Sequence, residues 1–141
     1  MTTFFTSDTH FGHANIIKYC PDTRSQFTNV DEMDSTLIAR YNAVVDPDDI
    51  VYHLGDFAMA SQGRIREILR QLNGTIHLVT GNHDKAFNSS FRFVLLQEGH
   101  LASITTGYLE IKVEKQFIVL NHYSQRVWNR SHYGIVHLFG H

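Results

Sequence analysis

Apolar positions along the chain change period several times, and the changes mark out strands and helices. Thr3–Ser7 is a short β-prone run. From Asn29 to Val45 the apolar residues Met33, Leu37, Ile38, Tyr41, Val44 and Val45 recur at helical spacing, and Asn29 with Glu32 three residues on reads as a capping box. Pro47 marks the stop. Ile50–Leu54 reads as a strand. Arg64–Leu72 reads as a second helix with Ile65, Ile68, Leu69 and Leu72 on one face, closed by Asn73-Gly74. Thr75–Thr80 is again a strand. Between Phe91 and Leu120 the pattern predicts several short strands with Gly99 and Gly107 at turns, and Ile135–Phe139 is a last strand. Alternating strand and helix in the first half predicts an α/β layer with parallel pairing. The strand-rich second half predicts a mixed sheet, or two sheets packed together. The expected fold class is thus α/β with an α+β, sandwich-like character: mixed β-sheets flanked by helices. No repeat or linker interrupts the 141 residues, so one domain over 1–141 is expected.

Polar clusters fall at set places in this pattern. Phe4-Phe5-Thr6-Ser7 leads into Asp8-Thr9-His10, and Ile50–Leu54 leads into Gly55-Asp56. Ile76–Thr80 leads into Gly81-Asn82-His83-Asp84. Phe117–Leu120 leads into Asn121-His122, and Ile135–Phe139 into Gly140-His141. Asp, Asn and Gly favour turns and helix caps, which accounts for any one cluster taken alone. The recurrence of the same relation at five strand ends is harder to explain that way. Ligands of open α/β sheets bind beyond the carboxyl ends of the strands, so the clusters are expected to converge. Together they offer carboxylate, imidazole and amide but no thiolate, a donor set suited to Mn, Fe, Zn or Ni. They also exceed the needs of one tetrahedral ion, and two ions sharing a carboxylate would use them.

Composition adjusts the setting. Apolar residues make up 43% and charged residues 18%, which is a globular balance rather than a disordered one. A net charge of −2 provides no basic stripe, so nucleic acid is expected only as a substrate. Cys20 is the single cysteine and excludes an internal disulfide. The start Met1-Thr2-Thr3-Phe4-Phe5 lacks the pattern of a signal peptide, and no apolar run approaches the ~18 residues of a membrane span, so a cytoplasmic setting without membrane contact is expected. Ten histidines stand against twelve Lys plus Arg, which draws attention to where the histidines sit.

Asp8-x-His10, Gly55-Asp56, Gly81-Asn82-His83-Asp84, the isolated His122 and Gly140-His141 resemble, in order and rough spacing, the signature of calcineurin-like metallophosphoesterases. The resemblance spans nearly the whole chain, and Gly-Asn-His-Asp after a strand is its most specific part. It implies the metallophosphoesterase fold and a metal-dependent hydrolase of phosphoric esters, with phosphodiesters or nucleotide-like phosphates as small substrates. It implies two divalent cofactor ions, manganese first, with Fe, Zn, Ni or Mg as the other candidates. Asp8 and His10 would bind the first metal, Asp56 would bridge, and Asn82, His122 and His141 would bind the second. A hydroxide held between the ions would attack phosphorus, His83 would protonate the leaving group, and Asp84 would orient His83. The family's last motif usually runs Gly-His-x-His, and its second histidine completes the first metal site. Here the sequence stops at His141, as if cut within the motif. That feature is what favours the alternative, a catalytically weak binding or scaffold module on the same fold. An intact His83-Asp84 pair argues against it.

Other residues carry weaker expectations. His13 would line the pocket or support His10. Arg24, Arg126 and Arg130 are candidates to hold substrate phosphate, since arginine suits bidentate phosphate contacts. His53, His77 and His137 lie inside apolar strands and are expected to pack there with hydrogen-bond partners. Tyr123, Trp128 and Tyr133 are expected to serve packing.

Overall fold

Strands β1 (Thr3–Thr6), β2 (Ile50–His53), β3 (Thr75–Thr80) and β4 (Ser103–Thr106) pair in that order into an all-parallel sheet, in a computed structural model that describes residues 1–141. Parallel neighbours need crossovers. The first is supplied by α1 (Ile16–Tyr19), α2 (Pro21–Arg24) and α3 (Val30–Val44), the second by α4 (Gln62–Gln71) and the third by α5 (Ser89–Gln97). A second sheet joins β5 (Leu109–Val113), β6 (Gln116–Asn121) and β7 (Val136–Phe139), antiparallel at the β5–β6 hairpin and parallel between β6 and β7.

Strand alternation decides what each face of the first sheet meets. Phe4, Val51, Ile76 and Leu78 point to one side, where Ile38 of α3, Ile65, Ile68 and Leu69 of α4, and Phe91 and Leu95 of α5 complete the main core. Phe5, Tyr52 and Val79 point to the other side and meet Leu109, Ile111, Ile118, Leu120 and Leu138 of the second sheet. The layers therefore run helices, parallel sheet, second sheet. This is the expected α/β class with two sheets and flanking helices.

The expected elements are present with small shifts at their ends. Asn29 caps α3 by accepting from the Glu32 amide at 2.8 Å, but the Glu32 carboxylate bonds Thr28 rather than completing the box on Asn29. One expectation fails: the stretch from Phe91 opens not as a strand but inside α5, whose N-cap Asn88 accepts from the Phe91 amide at 3.0 Å. Phe91 and Leu95 are buried one turn apart, whereas Phe93 is 65% and Leu96 43% exposed. Apolar residues on both faces erased the helical period. No helix is long and apolar enough to cross a membrane.

Candidate metal centre and cleft

The ends of β1, β2 and β3, and of β6 and β7, open on one place. Ligand atoms of Asp8, His10 and Asp56 lie within 4.8 Å of one another, and so do those of Asp56, His122 and His141. Asp56 belongs to both groups, and its Oδ2 is 3.8 Å from His10 Nε2 and 3.4 Å from His122 Nε2. Asn82 Oδ1 adds a donor 3.1 Å from His122 Nε2.

Backbone conformation places these groups. Asp8, His10 and Asp56 all adopt left-handed conformations, with φ of 54°, 51° and 53°. Such conformations cost of order 1–3 kcal/mol each in non-glycine residues and persist where surroundings over-determine them. The surroundings do so here. The Asp8, His10 and Phe11 amides donate to the carbonyls of Gly55, Asp56 and Phe57 at 2.9, 3.0 and 2.9 Å, stitching the first motif to the second. Gly55 must be glycine: at φ +103° a Cβ would stand 2.6 Å from His122 Nδ1 and 2.7 Å from the Gly81 amide.

The hydrogen bonds around the donor set suit cations. His122 is buried and its Nδ1 lies 2.8 Å from the Leu54 carbonyl, so that nitrogen carries the proton and Nε2 presents a lone pair. The lone pair faces two oxygens, Asp56 Oδ2 and Asn82 Oδ1. Acceptors converging on acceptors repel unless a cation lies among them. His10 Nε2 likewise faces Asp8 Oδ1 at 3.6 Å and Asp56 Oδ2 at 3.8 Å, beyond hydrogen-bond reach, while its buried Nδ1 lacks a partner. Oxygen and imidazole donors in two triads with a shared carboxylate fit two divalent ions. Burial pushes the Asp8 carboxyl upward, but the facing His10 imidazole, the Ser7 hydroxyl and the nearby His122 outweigh it and hold it below the ordinary range.

An open cleft of about 580 Å³ lies over the centre, lined by Asp8, His10, Asp56 and His141 on its floor and by His13, His83, Asn15, Ile16, Tyr19 and Met59 around it. His83 is half-buried in the cleft wall, its ring 5.5 Å from that of His10 and 5.7 Å from that of His13, and its amide donates to Asp56 Oδ1 at 2.9 Å. His13 also lines the cleft, and burial together with the charges of His10 and His83 lowers its pKa.

Four expectations need correction. Asp84 does not orient His83. Its Oδ2 accepts from the amides of Asp56 (2.8 Å) and Gly81 (2.7 Å), and its Oδ1 from those of Phe57 (2.8 Å) and Ala58 (3.3 Å). Both oxygens are committed to backbone, so Asp84 fastens the Gly55-Asp56 loop. Burial pushes its carboxyl upward while those N–H donors pull it back. Arg24 does not reach toward substrate either, for its guanidinium donates to the carbonyls of Asp8 (2.8 Å) and Thr9 (3.0 Å). Arg126 is exposed and outside the cleft lining. Its loop is pinned back on β7 by the Gln125 amide on His137 Nε2 (3.1 Å) and by Trp128 Nε1 on the Ile135 carbonyl (2.7 Å). Arg130 in the same loop covers the Phe117 ring at 4.7 Å.

Sequence reasoning missed several supports. Asp34 is buried on α3 and accepts from the Gly12 amide at 2.9 Å, just beyond the first motif. An acid within the apolar stripe beside Met33, Leu37 and Ile38 was the available signal. His53 accepts from the Gly55 amide through Nδ1 (3.2 Å), and its Nε2–H faces Thr9 Oγ1 (3.0 Å), which donates to the Phe57 carbonyl (2.8 Å). This chain of bonds links β2 to the residue between Asp8 and His10. His77 and His137 also have partners, Ser103 Oγ at 2.7 Å and the Val119 carbonyl at 3.1 Å.

Residues 1–140 match the family profile described as calcineurin-like phosphoesterase. The chain belongs to the calcineurin-like phosphoesterase family. An uncharacterised protein of the archaeon Methanocaldococcus jannaschii is 50% identical over 93 residues, covering 64% of this chain and 51% of that protein. The gene 66 protein of Mycobacterium phage L5 is 36% identical over 85 residues, covering 58% of this chain and 39% of its own length. The chain thus matches about half or less of the length of these curated relatives. A crystal structure of a protein of unknown function, AQ665 from Aquifex aeolicus, superposes with a TM-score of 0.68 at 26% identity, covering 99% of this chain and 90% of the other.

Proposed function

We propose that this chain is a metal-dependent hydrolase of phosphoric esters, acting on phosphodiesters or nucleotide-like phosphates through two divalent ions, manganese first among them. The observation that carries the reading is the position of Asp56, whose Oδ2 lies 3.8 Å from His10 Nε2 and 3.4 Å from His122 Nε2. When bound, a pair of such ions polarises phosphoryl oxygens and eases deprotonation of water. Asp8, His10 and Asp56 would hold one ion, and Asp56, Asn82, His122 and His141 the other.

The chain's own residues do the rest. The Leu54 carbonyl fixes the tautomer of His122. Asp84 and Gly55 hold the Asp56 loop so that the carboxylate keeps its place without rearranging. His83 stands in the cleft wall, tied through its amide to Asp56, where an ester's leaving oxygen would need a proton. Proton donation from a positioned histidine is worth typically ~10²–10⁴ in rate. The cleft admits a small substrate, and its Tyr19 and Met59 offer apolar surface to the esterifying group.

The test is a hydrolysis screen of bis-p-nitrophenyl phosphate, p-nitrophenyl phosphate and cyclic nucleotides with Mn²⁺, Ni²⁺, Zn²⁺ or Mg²⁺, run alongside metal content. Expected is metal-dependent turnover of at least one ester with two ions per chain, both lost in Asp56→Asn. A chain that takes up no metal, or an Asp56→Asn variant with two ions and full turnover, would refute the reading.

A further inference from the structure

We propose that Arg24 is a positioning residue for the first half of the metal centre: its guanidinium holds the peptide planes that present Asp8 and His10, and does not touch substrate. This inference rests on the reading of the site as a metal centre.

The geometry is that of a fork on two successive carbonyls. One terminal nitrogen donates to the Asp8 carbonyl at 2.8 Å, the other to the Thr9 carbonyl at 3.0 Å and, more weakly, toward Met33 Sδ at 3.5 Å. Guanidinium is the side-chain group that places two parallel N–H donors at a fixed separation. Arg24 is itself fixed. It ends α2, its amide donates to the Cys20 carbonyl at 2.9 Å, and its own carbonyl accepts from the Phe27 amide at 3.1 Å. Phe27 is buried against Ile16 and Met33. The arginine therefore reaches the first motif from a small apolar anchor of its own, built by the segment between β1 and α3.

The residues it holds are the ones that need holding. Asp8 and His10 are both left-handed, on either side of Thr9. The amide side of this turn is satisfied by carbonyls of the second motif. Arg24 satisfies the carbonyl side, with a charged donor, and such bonds are shorter and stronger than neutral ones. Without it the peptides after Asp8 and Thr9 can rotate toward ordinary extended conformations. The Asp8 carboxylate and His10 imidazole would then leave the 4.8 Å neighbourhood they share with Asp56. The group around Asp56, His122 and His141 is carried by β2, β6 and β7 and has no bond to Arg24, so the two halves should respond differently.

The experiment compares wild type with Arg24→Lys, Arg24→Gln and Arg24→Ala as whole chains shown to be folded by thermal melts. Mn²⁺ uptake is titrated, and amide hydrogen exchange is followed in the metal-free proteins. In the variants one of two Mn²⁺ ions should bind ~10–100-fold more weakly, the usual effect of removing support from a ligand, while the other binds as in wild type. Lysine should not restore the affinity, because it keeps the charge but loses the fork. Methylguanidinium added to Arg24→Ala should restore part of it. Exchange should quicken at His10 and Phe11 and stay unchanged in α4 and β3. Arg24→Lys equal to wild type in both readouts would overturn the proposal. So would unchanged Mn²⁺ affinity with a raised KM for bis-p-nitrophenyl phosphate, which would make Arg24 a substrate contact. Failure of the wild type to take up Mn²⁺ would sink the metal-centre reading instead, and then unchanged exchange at His10 and Phe11 in the variants would overturn the positioning role as well.

Discussion

Replacing Asp84 by asparagine separates a structural carboxylate from a catalytic one. The amide keeps one oxygen and puts an NH₂ in place of the other. If Oδ2 is lost, the amides of Asp56 and Gly81 face a donor; if Oδ1 is lost, those of Phe57 and Ala58 do. Either way two N–H groups at or near a buried loop lose their acceptor. Each such loss costs about 1–3 kcal/mol, so Asp84→Asn should destabilise the chain by about 2–6 kcal/mol. That is a large part of the ~5–15 kcal/mol by which a domain is stable. The assay is urea unfolding of the metal-free chain, so that metal uptake does not contribute. With a slope of about 2 kcal/mol per molar urea, a 4 kcal/mol loss lowers the midpoint by about 2 M. A variant within about 1 kcal/mol of wild type, loading metal normally but turning over slowly, would refute the reasoning. It would return Asp84 to the role the motif alone implies, that of orienting His83.

Further outcomes follow from neighbouring groups. Burial holds the His53 imidazole down to about 3, against 6.5 for the free side chain. The unfolded chain thus takes up this proton first as pH falls, and the stability this group contributes is intact above pH 6.5 and eroded on the way down to pH 3. The loss is about 2 kcal/mol by pH 5, and His53→Gln should flatten the urea midpoint between pH 6.5 and 4 relative to wild type; parallel curves would contradict this. Gly55→Ala forces a side chain to φ +103° and onto His122, and should cost about 2–5 kcal/mol of stability while weakening Mn²⁺ uptake at least tenfold. Wild-type uptake by that variant would mean His122 does not depend on the Leu54–Gly55 backbone. His83→Ala should lower turnover by ~100-fold or more at unchanged metal content, and loss of metal would show that His83 is a ligand.

The strand-end clusters were legible because strands announce themselves by short β-prone runs, and because residues just past a parallel strand share an edge whatever the details of packing. That rule singles out Asp8, His10, Asp56, Asn82, His83, His122 and His141, and the folded chain gathers them at one edge. Helix α5 was not legible, since Phe93 and Leu96 put apolar side chains on its solvent face and masked the spacing of Phe91 and Leu95. Its cap, Asn88, was a signal that went unused. The reach of Arg24 and Asp84 was not legible either. Both residue types suit phosphate or histidine partners in principle, and only the folded chain shows that backbone carbonyls and amides claimed them first.

What the sequence determined by itself, then, was the inventory of the site: which donors exist, that none is a thiolate, and that they follow strands in a fixed order. Chain order and residue chemistry are local properties, and local patterns report them. Tertiary structure decided the assignments that depend on direction. It brought Asp56 Oδ2 close to both His10 and His122, turned Asp8, His10 and Asp56 into left-handed backbone, and spent the charges of Arg24 and Asp84 on holding those turns. A long or forked side chain can satisfy any of several partners, and the choice is made by what burial leaves unpaired nearby.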